Sequence, residues 1–197
     1  MRFIGDIHGN KNAYLKAIGS AEKSVQVGDY GAGFVNFGFD DEFQSNHRFI
    51  RGNHDSPEIC RMKSGWIPDG TVEGDMMFVG GAKSIDRAHR IEGVSWWPDE
   101  ELSYAEFQNI FDIYLENKPR VMVTHECPEV IADVLVNANR MTKFNDPSIT
   151  RQAFSNMWEN HKPEIWVFGH WHVSFDKTIL GTRFVCLNIN EAIDINI

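Results

Sequence analysis

Five times along this chain a short, strand-like run stops, and within a few residues a side chain able to ligate a metal appears. Arg2-Phe3-Ile4 is followed by Asp6 and His8, and Val25-Gln26-Val27 by Asp29. Phe49-Ile50 is followed by Asn53 and His54, Val121-Met122-Val123 by His125, and Ile165-Trp166-Val167-Phe168 by His170 and His172. The runs are rich in β-branched and aromatic residues and bounded by Gly or a polar residue, as buried strands are. In α/β sheets, ligands gather in the crevice beyond the carboxyl ends of the strands. Five such ends therefore predict one shared pocket. In extended backbone the i and i+2 side chains point to one side. Asp6 with His8, and His170 with His172, can thus each grip one region. The donor set is oxygen and imidazole without thiolate, which suits Mn, Fe, Zn, Co or Ni better than a cysteine-built structural zinc site does.

Asp6-x-His8, Gly28-Asp29, Gly52-Asn53-His54-Asp55, a lone His125 and Gly169-His170-x-His172 stand in the order found in the calcineurin-like metallophosphoesterases. The chain resembles that family from residue 6 to residue 172. Any one of these motifs is a weak signal, whereas five in order, each after a strand-like run, are specific. The resemblance implies an α/β fold: a four-layer αββα sandwich of two mixed β-sheets flanked by helices. It implies two divalent or trivalent metal ions, Mn first, with Fe, Zn, Co or Ni as alternatives. Asp6, His8, Asp29 and His172 would hold one ion, and Asp29, Asn53, His125 and His170 the other, with Asp29 as the bridge. The implied activity is hydrolysis of a phosphomonoester, phosphodiester or nucleotide-type substrate by a metal-bridging hydroxide.

The same resemblance gives His54 and Asp55 catalytic parts. His54 would protonate the leaving group or bind a phosphate oxygen, and Asp55 could orient it. Many relatives carry a further Asp three residues after the bridging one as the partner of this His, and Ala32 stands there instead. Either Asp55 or a residue from another loop takes that place, or His54 acts mainly as a hydrogen-bond donor. Residues 6–9 and 51–54 resemble the phosphoprotein phosphatase branch. The Asp-Arg-Gly extension after Asp29 is missing, so a small phosphoester is expected over a phosphoprotein. Gly80-Gly81-Ala82-x-Ser84-Ile85-Asp86-Arg87, followed by Trp96-Trp97-Pro98-Asp99-Glu100-Glu101-Leu102-Ser103, looks like one subgroup found in bacteria and their phages. Within this stretch Arg87 or Arg90 either clamps a substrate phosphate as a fork of donors or fixes the loop by an ion pair. Trp96 and Trp97 are expected to pack.

Length and charge narrow the partners. The 197 residues suit one domain, 1–197, with a sizeable core. A net charge of -9 argues against a nucleic-acid partner. That sign also repels phosphate at long range, an effect that bound ions would reverse locally. No apolar stretch is long enough for a membrane span and the N-terminus has no signal-peptide layout. Cys60, Cys127 and Cys186 form no short-spaced pattern, so reduced, packed thiols in the cytoplasm are expected. Two other classes stay open: an inert phosphoesterase-fold scaffold for protein interaction, and a nuclease acting on polynucleotide. The full ligand set argues against the first and the charge against the second.

Local signals predict the remaining elements. Asn10 or Asn12 caps a helix to about Ala21, and the aromatic loop holding Tyr30, Phe34, Phe37 and Phe39 covers a core. Pro57 opens a short helix. Residues 66–81 are β-rich: Trp66-Ile67, a turn at Pro68-Asp69-Gly70, then Thr71-Val72, Gly74-Asp75 and Met76 to Val79, a hairpin at the edge of the sheet system. Ser103-x-x-Glu106 is a capping box for a helix to about Leu115, and a further helix spans Pro128 to about Asn137. Asp146-Pro147 starts another, reaching about Asn160. Strands at Val173–Phe175, Thr178–Leu180 and Arg183–Leu187 complete a second sheet. His47 and His161 are expected to be structural or exposed, and Cys127 to be packed.

Overall fold

The computed structural model describes residues 1–141 and 147–197. The N-terminal third lays down three parallel strands, β1 (Arg2–Ile4), β2 (Ser24–Gln26) and β3 (His47–Phe49). Helix α1 (Lys11–Ile18) follows β1, and its N-cap is Asn10, whose side chain accepts from the Ala13 N–H. Helix α2 (Asp41–Asn46) leads into β3, and α3 (Pro57–Arg61) follows it, capped by Ser56 with Pro57 in the first turn. Next come the antiparallel pair β4 (Thr71–Glu73) and β5 (Met76–Val79), a 3-10 turn (Arg87–His89) and α4 (Tyr104–Asn117). Helix α4 begins with the expected capping box of Ser103 and Glu106. The chain continues through β6 (Val121–Thr124), α5 (Glu129–Asn139), α6 (Ile149–Asn160), β7 (Ile165–Phe168), β8 (Phe175–Ile179), β9 (Thr182–Cys186) and β10 (Ala192–Asp194).

The strands form two mixed sheets, ordered β10-β1-β2-β3 and β4-β5-β6-β7-β9-β8. Strand parity builds four layers from them, because alternate side chains leave opposite faces. Phe3, Val25, Phe78, Val121, Val123, Val167 and Val185 meet between the sheets. Their neighbours Met77, Met122, Trp166, Phe168 and Phe184 face outward onto α4, α5 and α6. On the other side, Ile4 and Phe49 meet Tyr14 and Ile18 of α1, and Tyr30, Phe37, Phe39 and Phe43 close that layer. The aromatic loop thus covers a core, with Tyr30 stacked on Phe49 at a centroid distance of 4.1 Å.

Four local expectations are corrected. Strand β10 has no counterpart in the sequence reading. It pairs antiparallel with β1, and Arg2 grips Asp194 through two hydrogen bonds of 3.0 and 2.6 Å. Leu180 is not in a strand: with Gly181 it forms a two-residue turn, both at positive φ (46° and 92°), between the paired residues Ile179 and Thr182. That is the turn type favoured by strand twist. Helix α1 stops at Ile18, short of Ala21. Helix α6 is capped by Ser148, whose side chain accepts from the Arg151 N–H; Asp146 of the expected start lies outside the described residues. Among the described residues no helix is long and apolar enough to cross a membrane.

Candidate metal centre

The loops after β1, β2, β3, β6 and β7 meet at the carboxyl edge of the parallel strands. Glycines at the turns let ligand side chains press on neighbouring backbone. A Cβ at Gly28 would strike the His125 ring, one at Gly52 would strike Asp29, and one at Gly169 would strike Asp6. Four of the expected ligands, His8, Asp29, His170 and His172, hold φ between 42° and 66°. Non-glycine residues rarely accept this region, and such outliers gather at functional sites.

Asp6, His8, Asp29 and His172 come together with one ligand atom each, all within 4.8 Å of one another. His172 Nε2 lies 3.0 Å from Asp6 Oδ2 and 3.1 Å from His8 Nε2. The backbone N–H of His170 donates to the Asp6 carboxylate at 3.2 Å, which aims that carboxylate. Asp6 and His8 thus share one group as the i, i+2 spacing suggested, whereas of the second pair only His172 enters it. His8 and His172 reach it from left-handed backbone rather than from extended strands.

Beside this group, His125 is fully buried and its Nδ1 lies 2.8 Å from the Val27 carbonyl. A carbonyl only accepts, so Nδ1 carries a proton, and in the neutral form of the ring Nε2 turns a lone pair inward. That lone pair faces Asn53 Oδ1 at 3.1 Å and Asp29 Oδ1 at 3.4 Å. Three acceptors converging in a buried site require a cation, either a proton or a metal. Burial lowers the basicity of His125, but Asp29 and Asp6 outweigh it and raise its pKa. Burial pushes the Asp29 carboxyl up to about 7, with His125 opposing and Asp6 adding to the push. Asp29 Oδ2 is buried without a hydrogen-bond partner, 3.7 Å from His8 Nδ1 and 3.9 Å from His54 Nε2. His170 packs edge-on against His125 with ring centroids 5.1 Å apart. The donor set and the orphaned oxygen fit hard or borderline divalent ions.

His54 sits at the rim. Its Nε2 lies 3.3 Å from both Asn53 Nδ2 and Arg90 Nη2, and both of these are donors. Nε2 therefore accepts. Burial first, then Arg90, pushes the imidazole down to about 4. Asp55 does not orient it. The Asp55 carboxylate accepts from the backbone N–H groups of Tyr30, Gly31, Ala32 and Gly52, at 3.0, 2.6, 2.9 and 2.8 Å. Of the two readings left open for Arg90, the structure shows the ion pair: Nε and Nη2 bond Asp86 at 2.6 Å each, and Nη2 also reaches His54. Arg87 begins the exposed 3-10 turn and lines neither cavity over the ligands. Of the other histidines, His161 lies 2.9 Å from the Pro119 carbonyl through Nε2, and His47 lies 3.0 Å from Ser24 Oγ. Cys127 is fully buried in the helical layer.

Three residues near the ligands carried no assigned role in the sequence reading. Glu126 is fully buried, accepts from the Trp171 indole at 2.7 Å and from Arg151 at 3.3 Å, and lies 3.7 Å from His170 Nε2. Ser84 accepts from Asn53 Nδ2 at 2.9 Å and donates to Glu100 at 2.5 Å. This chain turns the Asn53 oxygen toward His125. The signals were present: a carboxylate directly after His125, and the Gly-Gly-Ala-x-Ser motif.

A family model described as calcineurin-like phosphoesterase matches residues 2–174. No curated protein sequence matches the chain. Solved structures share its fold, two of them as follows. One is the TT1561 protein of Thermus thermophilus, 11% identical at a TM-score of 0.51, with 96% of this chain and 89% of that one covered. The other is described as a phosphopantetheinyl hydrolase from Mycobacterium tuberculosis, 14% identical at a TM-score of 0.52 with the same coverage. At these identities the likeness is one of fold.

Proposed function

Because the chain belongs to the calcineurin-like phosphoesterase family, we propose that it hydrolyses a small phosphoester at a two-metal site, with Mn as the metal to test first. Asp29 is the observation that carries this reading. It is one buried carboxylate with Oδ1 facing His125, and with an unpartnered Oδ2 facing His8 and His54. A carboxylate with one oxygen toward each ligand group suits a bridge. Asp6, His8, Asp29 and His172 would hold one ion, and Asp29, Asn53, His125 and His170 the other. Bound ions would supply a water deprotonated near neutral pH and positive charge against the phosphoryl oxygens.

The chain's own residues position and discriminate. Arg90 is held by Asp86 through Nε and Nη2 and by the Ser95 carbonyl through Nη1, lines the space over the ligands, and would turn its Nη2 from His54 to a phosphoryl oxygen. His54 as it stands accepts through Nε2 from Asn53 and Arg90; only with a proton on Nε2 would it leave those donors and donate to the phosphoryl or leaving oxygen. The amide of Asn53 adds an oxygen ligand without adding negative charge. The full ligand set favours this reading over an inert scaffold.

The test starts from metal-stripped protein resupplied with Mn and offered chromogenic aryl phosphoesters. Two metal ions per chain and Mn-dependent turnover are expected, with Asp29→Asn falling to background. Failure to take up metal, together with no turnover, would overturn the reading.

A further inference from the structure

Two cavities meet over the candidate metal centre. One, of about 310 Å³, lies above Asn53 and His170 and is walled by Ile85, Ala132, Val136 and Trp171. The other, of about 450 Å³, opens above His8 and is walled by Gly31 and Phe34. Both are lined by Asp29, His54, Arg90 and His172, so they share a floor. A phosphorus atom held at that floor has room on two sides. The apolar parts of these walls are partly open to solvent: Ile85 is 53% exposed and Phe34 48%. Such side chains gain by covering an organic group.

Charge points the same way. A phosphomonoester near neutral pH carries about one more negative charge than a diester. Besides histidines, the cationic residues lining these two cavities are Arg90 and Arg151 among the described residues. Arg90 is matched by Asp86 at 2.6 Å, and Arg151 by Glu129 at 3.1 Å and Glu126 at 3.3 Å. Asp133 adds a further carboxylate to the first cavity. Among the described residues the side-chain cations of the walls are thus already matched, so beyond the charge that bound ions would supply they add little for a second substrate charge.

We propose that the substrate is a phosphodiester with one uncharged, compact apolar or aryl group in the cavity of Ile85 and Val136. Its second group lies along the open cavity of Phe34. This deepens the phosphoesterase reading and rests on it. In the reaction a P–O bond forms to water as one ester P–O bond breaks. One water proton ends on the departing oxygen, giving an alcohol and a phosphomonoester.

The experiment compares bis(p-nitrophenyl) phosphate, methyl p-nitrophenyl phosphate and p-nitrophenyl phosphate on the Mn-loaded protein, beside the variants Val136→Phe and Phe34→Ala. The diaryl ester is expected to exceed the monoester in kcat/KM by about tenfold or more, the scale on which apolar pocket contacts discriminate. Filling the first cavity with Val136→Phe should depress the diaryl ester about tenfold relative to the methyl ester, which can place its one aryl group in the open cavity. Phe34→Ala should raise KM for the diaryl ester. Calorimetry supplies a readout independent of turnover, in which diphenyl phosphate should bind more tightly than phenyl phosphate. A monoester turned over faster than both diesters, or a Val136→Phe effect equal on the two diesters, would overturn the proposal and leave the phosphoesterase reading intact. No turnover of any ester by protein with bound metal would overturn both.

Discussion

Asp55 illustrates how much one carboxylate can organise. Its two oxygens gather backbone N–H groups from Tyr30, Gly31, Ala32 and Gly52, so it joins the loop after β2 to the loop after β3. Those loops carry Asp29 and Asn53. Ala32, where a partner for His54 was sought, instead contributes its N–H to this clamp. Stripping the acceptor would strand several buried donors, each costing about 1–3 kcal/mol. Asp55→Ala is therefore expected to lose about 3 kcal/mol or more in denaturant unfolding and to weaken metal binding. A residue that merely oriented His54 would lose activity with stability unchanged, so the two measurements separate the roles. In the sequence, Asp55 was legible as a member of the Gly-Asn-His-Asp motif, but its role was not. The partners lie up to 25 positions away and use main-chain groups, which carry no residue identity.

At the scale of an element, the stretch between β5 and α4 acts as a brace. Arg51, buried just before Gly52, donates to the carbonyls of Asp99 and Glu100 at 3.0 and 2.9 Å and to Asp69 at 2.7 Å. Glu100 then receives Ser84, and Ser84 receives the Asn53 amide. The subgroup motif singled out in the sequence is thus a support for a ligand, and its Arg90 reaches the rim. Loss of a supporting contact of this kind costs about 10–100-fold in metal affinity or activity. Ser84→Ala should show that loss in one of two Mn binding events, with the other little changed, and Ser84→Thr should restore it through the retained hydroxyl. Equal weakening of both events, without rescue, would assign Ser84 a general packing role.

For the whole molecule, metal and proton compete. Burial holds the Asp29 carboxyl up at about 7, so near pH 6 the metal-free protein retains a proton that the unfolded chain has released. His125, raised by Asp29 and Asp6, acts in the same sense. Metal must displace that proton, so its affinity rises with pH up to about 7. An ion at about 100 times its dissociation constant stabilises by about 2.7 kcal/mol. At this chain length that is worth about 2–4 °C in Tm per kcal/mol. The gap in Tm between Mn-loaded and chelated protein is expected to be small at pH 5.5 and wide at pH 7.5. A gap independent of pH would detach Asp29 from the metal.

The sequence by itself determined the five strands that precede the expected ligands, the order of those ligands, the start of α3 at Pro57 and the capping box of α4. All of these are written in local terms: short apolar runs such as Val121 to Val123, a capping residue three positions from its donor, a potential ligand after each such run. The glycines beside the ligands were equally visible, though their purpose, making room for His125, Asp29 and Asp6, was not. Only the tertiary structure decided that the last strand returns beside the first, that Asp55 clamps backbone, and that Ser84, Glu100 and Glu126 stand behind the ligands. It also opened two cavities over one floor. The physical reason is separation. His8 meets His172 across 164 positions and Asn53 meets Ser84 across 31, and such contacts leave no periodicity in the chain that makes them.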